Sequence, residues 1–487
     1  MTVYLLGAGP GDPDLLTVRG AEVLRRAQCV VYDRLAAPAL LTLVPDDAER
    51  IYVGKGPGFA EMTQAEINAV LVARGTQYDE VVRLKGGDPY IFGRGGEEAD
   101  ELRRAGVAFE VIPGITSAIA AAAYAGIPVT HRGLSTHVTI VTGHEDPAKG
   151  RTDVDWEALA RVGGTLVILM GVGHIRAIAD RLMAGGLAPD TPVAAVRNGT
   201  RPDQRTIRTT LAAAADAGFA SPSAIIVGAV AALDYAWFEQ RPLFGRRIVV
   251  TRAREQASEL RTALEALGAE VLELPAITIV PNAFALPDLK SFDWLVCTSA
   301  NGVAALFDRG IRPAGLDARA LAGMHIAAIG PGTAAAFAER GITVDLVPDR
   351  FVAESLLSAF PDGPGRVLLA RAEQARDVLP EGLRAKDWEV EVLSVYRTET
   401  AAPDPAALAA VQSGAVDCIT FTSSSTVINA CAAVGTWPVP APLVASIGPV
   451  TSATARAQGL HVDVEADPHT IEGLVAAVVK CIADNPV

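Results

Sequence analysis

The sequence predicts an α/β protein built from several lobes, each a largely parallel sheet covered by helices. Short runs rich in Val, Ile and Leu alternate with stretches of helical period, which is the pattern of β-α-β units. Glycine-rich turns directly follow several of these runs in the N-terminal half. The C-terminal half contains an internal repeat, which indicates duplicated lobes.

In the N-terminal half, alternation of apolar runs with helix-length segments is typical of a parallel sheet. The strands are predicted at residues 3–6, 29–32, 81–84, 138–141, 166–170 and 225–227. A polar, proline-bearing stretch at 237–246 interrupts the alternation and is typical of a linker. We therefore predict a first domain at 1–240, a linker at 241–246 and a second domain at 247–487.

The repeat of the C-terminal half has a period of about 120 residues. Each copy has a strand followed by an Arg-Ala pair, a strand followed by Thr-Ser, and an Ile-Gly-Pro turn before a helix. The matching segments are 247–253 with 366–372, 293–299 with 417–423, and 328–333 with 446–451. We expect two similar α/β units that face one another, with a ligand cleft between them.

The composition is that of a globular protein with enough apolar material for several cores. Of 487 residues, 50% are hydrophobic and 20% are charged, which argues against disorder. No apolar run approaches the ~20 residues of a membrane helix, and the first residues lack a signal-peptide pattern. We therefore expect a cytoplasmic protein with no membrane partner.

The net charge and the cysteine content argue against three further classes of protein. Five cysteines without metal-ligand or dithiol spacing argue against a metal site and a disulfide scaffold. A net charge of −14 argues against a nucleic-acid partner, since such proteins carry a basic face. An anionic small substrate remains possible, because charges are screened beyond about 8 Å and only a local basic pocket is needed.

Three loops of the N-terminal half follow predicted strands and carry ligand-binding residue types. Residues 7–12 are glycine-rich, residues 83–98 contain Gly-Gly-Asp, and residues 111–117 end in two hydroxyls. Adjacent glycines let backbone approach a ligand, and the aspartate can accept hydrogen bonds from ribose hydroxyls. Each loop alone also fits a tight turn or a helix N-cap. Three such loops at the strand ends of one sheet would converge on one crevice.

These stretches resemble the tetrapyrrole methylase family, and within it the uroporphyrinogen-III C-methyltransferases. The matching runs are GAGPGDPDLLT at 7–17, RLKGGDPYIFGRGGEE at 83–98, VIPGITS at 111–117, YAGIPVTHR at 124–132, TGH at 142–144 and TLVILMG at 165–171. The resemblance implies a two-lobed fold, with lobes at about 1–131 and 132–240. It also implies two methyl transfers from S-adenosylmethionine to uroporphyrinogen III, giving precorrin-2, and a homodimer formed through this half.

The resemblance assigns residues to roles. The implied cofactor contacts are Pro10, Gly86, Gly87, Asp88, Ile91, Thr116, Ser117, Met170 and Gly199. The implied proton acceptor and donor are Asp33 and Lys55. Arg94, Glu97 and Arg132 match substrate-contacting positions, and Arg94 is also a candidate catalytic residue. Arginine suits a substrate with eight carboxylates, because it binds carboxylate in a bidentate manner.

Structural alternatives stay open for these side chains. Asp33 follows a predicted strand and fits a helix cap, Lys55 fits an ordinary loop lysine, and the arginines fit a solvated surface. The segment 54–64 also lacks the histidine and basic residues that the family often carries after this lysine. Substrate contacts by that segment are therefore not implied.

The C-terminal half offers hydroxyls and glycines at strand ends rather than paired carboxylates, metal clusters or a Ser/His/Asp arrangement. Hydroxyls and N–H groups at helix starts can receive carboxylates, although helix capping is their commoner use. In its repeat and in SVYRT at 394–398, this half resembles uroporphyrinogen-III synthase. The resemblance implies two flavodoxin-like lobes, at about 247–280 with 400–487 and at 285–392, bridged by the pieces near 275–283 and 393–400.

The implied reaction is cyclisation of hydroxymethylbilane with inversion of the last pyrrole ring and loss of water, without a cofactor. Tyr396 matches the tyrosine proposed to assist departure of the hydroxyl, and a strand-end tyrosine buried in a lobe is the alternative. The candidate substrate contacts are Arg252, Ser299, Thr333, Ser423 and Thr451, with Arg254, Arg371 and Arg397 as further carboxylate partners.

Together the two resemblances predict a bifunctional enzyme in which one half makes the substrate of the other. A different hypothesis is an active methyltransferase with a catalytically silent C-terminal module that senses a tetrapyrrole. The two hypotheses differ in whether ring closure to the type III isomer occurs.

Overall fold

A computed structural model describes residues 1–33, 38–54, 62–144, 153–251, 254–274, 277–400 and 403–485. The chain folds into two compact units, Met1–Arg246 with Glu265–Glu270, and Arg247–Leu264 with Val271–Val487. Four five-stranded sheets form the framework of the described residues. Lys55 and Arg252 lie outside the described residues.

The first sheet of the N-terminal unit is entirely parallel. Its strands are β1 (Thr2–Gly7), β2 (Cys29–Tyr32), β3 (Glu49–Tyr52), β4 (Glu80–Lys85) and β5 (Phe109–Ile112), in the order β3-β2-β4-β1-β5. Its helices are α1 (Val18–Leu24), α2 (Gln64–Gly75) and α3 (Gly95–Arg104). Apolar side chains on both faces of the sheet are buried under these segments, as in other parallel sheets.

Helix α4 (Ser117–Tyr124) follows the first sheet in the chain but packs on the second sheet. Its alanines Ala118, Ala121 and Ala122 are buried against Val167 and Ile226 of that sheet. Because alanine side chains are short, the helix backbone lies close to the strands. Helix α4 therefore joins the two lobes of this unit.

The second sheet is mixed. Its elements are β6 (Val138–Thr142), α5 (Trp156–Val162), β7 (Thr165–Leu169), α6 (Ile175–Ala184), β8 (Pro192–Arg197), β9 (Arg205–Thr210) and β10 (Ser223–Val227), with strand order β6-β7-β10-β8-β9. Only β6 and β7 pair in parallel, while the other three pairs are antiparallel. The expectation of a largely parallel sheet is therefore wrong for this lobe. Strands β8 and β9 are joined by a short turn, and a short connection forces antiparallel pairing.

The C-terminal unit contains the third and fourth sheets. The C-terminal elements in chain order are β11 (Arg247–Val250), α7 (Arg254–Ala266), β12 (Glu270–Glu273), β13 (Ile277–Pro281), β14 (Trp294–Cys297), α8 (Ala300–Ala305), β15 (His325–Ala328), α9 (Pro331–Ala338), α10 (Ala353–Ala359), β16 (Gly365–Ala372), α11 (Val378–Ala385), β17 (Trp388–Thr400), α12 (Pro405–Gln412), β18 (Cys418–Phe421), α13 (Ser424–Val434), β19 (Leu443–Ser446), α14 (Pro449–Ala457), β20 (Val464–Glu465) and α15 (Ile471–Asp484). The third sheet has the strand order β12-β11-β18-β19-β20, with parallel pairing from β11 to β20. Numbered by their own order in the chain, its five strands have the 2-1-3-4-5 arrangement of flavodoxin-like sheets.

The fourth sheet has the order β13-β17-β16-β14-β15. The repeated segments occupy corresponding positions in the third and fourth sheets: β11 corresponds to β16, β18 to β14 and β19 to β15. The pieces near 275–283 and 393–400, which are expected to bridge the two lobes, contain β13 and the end of the long strand β17, and these two strands pair antiparallel. Strand β17 continues to Thr400 and so offers β13 an edge to pair with.

Within the described part of the chain, no helix has the length and apolar character needed to cross a membrane. The same residues hold no group of three or more His, Cys, Asp or Glu side chains arranged for a metal ion.

Candidate active sites

The three glycine- and hydroxyl-bearing loops of the N-terminal unit meet at the carboxyl ends of β4, β1 and β5. Gly87 N donates to Gly9 O at 2.7 Å, and Gly9 N donates to Gly87 O at 3.2 Å. A Cβ on Gly7 would lie 2.5 Å from Gly114 Cα, and a Cβ on Gly114 would lie 2.2 Å from Gly87 O. The loops are therefore in direct backbone contact, which only glycine permits.

A Cβ on Gly87 would make only ordinary van der Waals contacts. Its φ is +70°, and the nearest atom to a Cβ built there is Thr116 Cα at 3.8 Å. Pro10 and Gly86, the other expected cofactor contacts of these loops, are partly exposed beside it. The crevice therefore offers a ligand a backbone surface without side chains in the way.

Asp88 fastens two of the loops together. Its Oδ2 accepts from Gly114 N at 3.0 Å, and its Oδ1 accepts from Tyr90 N at 2.8 Å. A carboxylate has about four lone-pair positions. Asp88 therefore keeps acceptor capacity for a ligand while holding the loops in place.

Thr116 is the N-cap of helix α4, because its Oγ1 accepts a hydrogen bond from Ala118 N at 3.3 Å. This agrees with the helix N-cap alternative for this loop. Ser117 is the first residue of the helix and is partly exposed. Ile91 is 40% exposed despite its apolar side chain. An exposed isoleucine beside a crevice provides an apolar surface for a ligand.

The second lobe contributes the turn after β8 to the same region. A Cβ on Gly199 would lie 2.5 Å from Ala121 Cβ of helix α4. Asp12 N, in the first glycine-rich loop, donates to Thr200 Oγ1 at 3.0 Å. Thr200 has a φ of +74°, a backbone conformation that persists in non-glycine residues only where the surroundings enforce it. The structure therefore places Gly199 next to the loops of the first lobe.

Met170 follows β7 with a φ of +56° and is half exposed. Leu169 of β7 and Val196 of β8 both lie opposite Ala224 of β10. The turns that follow β7 and β8 therefore lie at the same end of the sheet. One strand separates β7 from β8, so these two strands are about 10 Å apart. Met170 and Gly199 share that end.

A chain of buried charges begins at Asp33. Arg83 Nη2 donates to Asp33 Oδ2 at 3.0 Å, and Arg83 Nε donates to Glu98 Oε1 at 3.1 Å. Lys85 Nζ donates to the same Oε1 at 2.7 Å. Glu98 is fully buried, and among the described residues its Oε2 has no hydrogen-bond partner. The four charges sum to zero, and Asp33 is the member that reaches the surface.

Burial lowers the pKa of Lys85, and the positive charge of Arg83 lowers it further, against the opposing attraction of Glu98 and Asp33. Sequence reasoning assigned no role to Arg83, Lys85 or Glu98. A signal for the first two was present, since basic residues two positions apart in an apolar strand share one face of a sheet. Their burial together with Glu98 depends on where helix α3 packs, which the motif does not reveal.

The expected substrate contacts Arg94 and Glu97 bind each other in a bidentate pair. Arg94 Nε and Nη2 each donate to a Glu97 carboxylate oxygen at 2.8 Å. This pairing lowers the pKa of Glu97 and raises that of Arg94. Both side chains are more than half exposed, and Arg132 is also exposed. Because an exposed ion pair contributes little free energy, a ligand carboxylate can replace Glu97 as the partner of Arg94.

In the C-terminal unit, Tyr396 and Ser299 come together. Their hydroxyl oxygens lie 3.0 Å apart, and Ser299 Oγ also accepts from Gly302 N as the N-cap of α8. Tyr396 is 8% exposed, and burial raises the pKa of its phenol despite the bond to Ser299. The phenol therefore stays protonated at neutral pH and can donate a hydrogen bond.

The other expected hydroxyl contacts of this unit lie at the starts of helices. Ser423 forms a capping box with Thr426 at the start of α13. Thr333 and Thr451 are buried within the first turns of α9 and α14, each 5% exposed. The capping alternative thus holds for Ser299 and Ser423, whereas Thr333 and Thr451 are almost wholly buried.

The first unit is thus a two-lobed α/β enzyme with a glycine-rich crevice of the kind that holds a nucleotide-like cofactor. The second is a pair of doubly wound lobes with a buried tyrosine near the strand ends. The family model of Tetrapyrrole (Corrin/Porphyrin) Methylases matches residues 2–215, and that of Uroporphyrinogen-III synthase HemD matches residues 258–476.

Individual relatives agree. A porphyrin biosynthesis protein HemD from Ruminiclostridium josui is 37% identical over 99% of this chain and 98% of its own length. An S-adenosyl-L-methionine-dependent uroporphyrinogen III methyltransferase from Methanosarcina barkeri is 53% identical over 49% of this chain and 95% of its own. A crystal structure of uroporphyrin-III C-methyl transferase from Thermus thermophilus is 41% identical, covering 47% of this chain and 98% of its own, with a TM-score of 0.42.

The chain therefore belongs to the tetrapyrrole methylases in its N-terminal half and to the uroporphyrinogen-III synthases in its C-terminal half. Both family resemblances are confirmed, and the protein is a bifunctional fusion.

Proposed function

We propose that the C-terminal unit closes hydroxymethylbilane to uroporphyrinogen III and that the N-terminal unit methylates this product twice to give precorrin-2. The observation that carries the first unit's role is the crevice where three loops and the turn after β8 meet beside Gly87. The contact of Tyr396 with Ser299 supports the role of the second unit.

The crevice fits S-adenosylmethionine. The partly exposed backbone at Gly86 and Gly87 suits close approach of a ligand, Asp88 suits ribose hydroxyls, and the exposed Ile91 and Met170 suit an adenine ring. We propose Pro10, Thr116, Ser117 and Gly199 as the remaining contacts. When bound, this cofactor supplies an electrophilic methyl group on a sulfonium.

In the methyl transfer, the residues of this chain align the substrate and accept a proton. A ring carbon of uroporphyrinogen III would use its electron pair to form the new C–C bond as the methyl–sulfur bond breaks and the neutral thioether leaves, and the macrocycle would then lose a proton. We propose Asp33 as the acceptor, positioned by Arg83, with Lys55 as the donor. Alignment supplies up to ~10 kcal/mol of the barrier, and acid-base groups add about two to four powers of ten.

Substrate carboxylates need cationic partners near this crevice. We propose Arg94 and Arg132 for that role, with Glu97 holding Arg94 until a substrate carboxylate replaces it. Because the Arg94–Glu97 pair is exposed, the exchange costs little.

In the ring closure, the departing group is the hydroxyl of hydroxymethylbilane. We propose that the Tyr396 phenol gives its proton to this hydroxyl as the C–O bond breaks, so that water leaves. The phenolate then takes back the proton that the attacking pyrrole carbon loses when the new C–C bond closes the macrocycle. Ser299 accepts from or donates to the phenol and fixes its direction. The electron-rich pyrrole stabilises the resulting carbon cation, so the reaction needs no cofactor. Arg252, Thr333, Ser423 and Thr451 remain proposed substrate contacts.

We also propose a homodimer formed through the N-terminal unit and a cytoplasmic location. Val18 and Tyr235 of that unit are large apolar residues left exposed, at 78% and 57%. The five cysteines, all within the described residues, are free, which suits a reducing compartment. Light scattering on the purified full chain measures the assembly directly, and a monomer mass would contradict the dimer.

The deciding experiment incubates the purified full chain with hydroxymethylbilane, with and without S-adenosylmethionine. Chromatography of the oxidised products separates the type I and type III isomers, and mass spectrometry counts added methyl groups. We expect the type III isomer alone without the cofactor and the dimethylated product with it. Type I isomer alone would refute the synthase assignment and favour a silent sensing module.

For the first unit, Asp33→Ala tests the proton acceptor with uroporphyrinogen III supplied directly. Full methylation at normal cofactor binding would remove Asp33 from the catalytic residues.

A further inference from the structure

Asp12, in the first glycine-rich loop of the crevice, is bound by side chains from two distant parts of the N-terminal unit. Its Oδ2 accepts a hydrogen bond from the Tyr124 hydroxyl at 2.8 Å, and its backbone N donates to Thr200 Oγ1 at 3.0 Å. Its Oδ1 accepts from Asp14 N at 2.9 Å. Because Asp12 is fixed at both backbone and side chain, it sets the course of the loop that carries Pro10.

The Tyr124 contact leads to residues 235–241, which we call the brace segment. Tyr124 is the last residue of helix α4, and its ring packs edge-on against Trp237 and Phe238, with centroid distances of 4.9 and 4.8 Å. Trp237 Nε1 also donates to Ala123 O at 3.0 Å, and Phe238 is buried. The brace segment therefore fixes the end of α4 from which the tyrosine hydroxyl reaches the glycine-rich loop.

The surroundings of Tyr124 keep its hydroxyl protonated. Burial raises the pKa of the phenol, and the hydrogen bond to Asp12 raises it further. Arg241 opposes this to a smaller extent, and its guanidinium lies over the rings of Trp237 and Phe238. At neutral pH the phenol is therefore a hydrogen-bond donor to the aspartate.

The Thr200 contact leads to the same brace segment by a second route. Thr200 N donates to Gln204 Oε1 at 2.8 Å, and Gln204 Nε2 donates to Glu239 Oε1 at 2.8 Å. Thr206 Oγ1 donates to the same oxygen of Glu239 at 2.6 Å. Thr200 and Gln204 are each 2% exposed. These bonds help to hold Thr200 in its positive-φ conformation, and the expected cofactor contact Gly199 directly precedes it.

Two chains of contacts thus begin in the brace segment and end on Asp12. We propose that the brace segment is a positioning element for cofactor binding, which holds the loop with Pro10 and the turn with Gly199 in the shape that S-adenosylmethionine needs. A crevice formed in advance binds more tightly, because the ligand does not have to order the loops. The sequence indicated only a linker at 237–246, whereas these residues belong to the N-terminal unit. This inference rests on the proposed cofactor crevice.

Tyr124→Phe tests the first route, because it keeps the ring packing and removes the hydroxyl. S-adenosylhomocysteine is titrated into the full chain by calorimetry, and methylation rates are measured with uroporphyrinogen III supplied directly. We expect the Kd for S-adenosylhomocysteine and the KM for S-adenosylmethionine to rise about three- to tenfold, the order of one net hydrogen bond. At saturating cofactor, kcat should change less than about twofold, since the lost bond affects binding rather than the chemical step.

The matched control is Tyr4→Phe in the same unit. The Tyr4 hydroxyl lies on β1 and accepts from Arg26 Nη2 at 3.5 Å. This variant also loses a phenol hydrogen bond, so we expect it to bind S-adenosylhomocysteine like the wild type.

Glu239 tests the second route and keeps the test valid if Tyr124→Phe fails to fold. Glu239→Ala removes the acceptor of Gln204 and Thr206, and we expect it to raise the Kd by a similar factor. Glu239→Gln keeps an amide oxygen at the position where both bonds end, so it should restore binding to near the wild-type value. Rescue of this kind separates the hydrogen bonds from a general loss of packing.

The inference and the proposed function fail in different ways. If the wild-type chain does not bind S-adenosylhomocysteine, the cofactor crevice itself is refuted. If the wild type binds it and both Tyr124→Phe and Glu239→Ala keep the wild-type Kd, the positioning role alone is overturned. A rise in Kd that Tyr4→Phe shares in full would overturn it as well, because the effect would not then depend on Asp12.

Discussion

Replacing Glu98 with glutamine removes the central anion of the buried charge chain. Glu98 Oε1 accepts from Arg83 at 3.1 Å and from Lys85 at 2.7 Å, and all three residues are buried. Glutamine has the same shape but no charge. In Glu98→Gln, Arg83 would keep its ion pair with Asp33. Lys85 would lose the one carboxylate that it contacts among the described residues.

The size of the effect follows from burial. Breaking a buried ion pair by removing one partner costs about 3–5 kcal/mol, because the remaining charge is left uncompensated. For a unit of this size, each kcal/mol lowers the melting temperature by about 2–4 °C, so we expect a decrease of about 6–20 °C. Differential scanning calorimetry of the full chain measures this shift for the transition of the N-terminal unit.

The matched control is Glu101→Gln on the same helix. Glu101 pairs with Arg104 at 2.9 Å, but this pair is exposed and contributes about 0–1 kcal/mol. If Glu98→Gln lowers the melting temperature no more than Glu101→Gln, the buried charge chain does not stabilise the unit and the reasoning is refuted.

Three further predictions address the crevice, the phenol and pH. Gly114→Ala places a methyl group 2.2 Å from Gly87 O and should abolish binding of S-adenosylhomocysteine by calorimetry, whereas Gly96→Ala, with no atom within 4 Å, should bind normally. Tyr396→Phe should lower type III isomer formation about a hundredfold while methylation of supplied uroporphyrinogen III stays intact; unchanged ring closure would contradict the donor role. Burial lowers the pKa of Lys85, so the folded state loses its proton before the unfolded state, whose lysine pKa is about 10.4. Stability should therefore rise with pH between the lowered value and that of the unfolded chain, and Lys85→Met should remove this rise in chemical denaturation; an unchanged slope would exclude Lys85 as its source.

Much of the fold was readable from local pattern. Each predicted N-terminal strand overlaps an observed one, from residues 3–6 within β1 to 225–227 within β10. Runs of β-branched residues bounded by turn residues have few other low-energy structures. Strands β3, β5 and β9 were missed because they mix polar with apolar residues and give a weaker signal. Strand β8 was missed because alanine, which fills its centre, has a low β propensity.

Pairing direction and strand exchange were decided by tertiary structure. Nothing local to residues 223–227 shows that β10 lies between β7 and β8 and runs against both. Likewise, the repeat predicted two similar sheets, but the attachment of β13 to β17 depends on an edge supplied by residues more than a hundred positions away.

The candidate sites, like the fold, depend partly on the sequence alone and partly on the tertiary structure. The sequence by itself determined the two families, the glycine-rich loops and Tyr396, because these depend on residue types at fixed spacing near turns. Only the tertiary structure decided that Glu98 neutralises Arg83 and Lys85, that Ser299 bonds to Tyr396, and that Tyr124 bonds to Asp12. Those facts depend on the desolvation of charges and hydroxyls brought together from separate elements, and the free energy of a charge is set by what surrounds it in three dimensions.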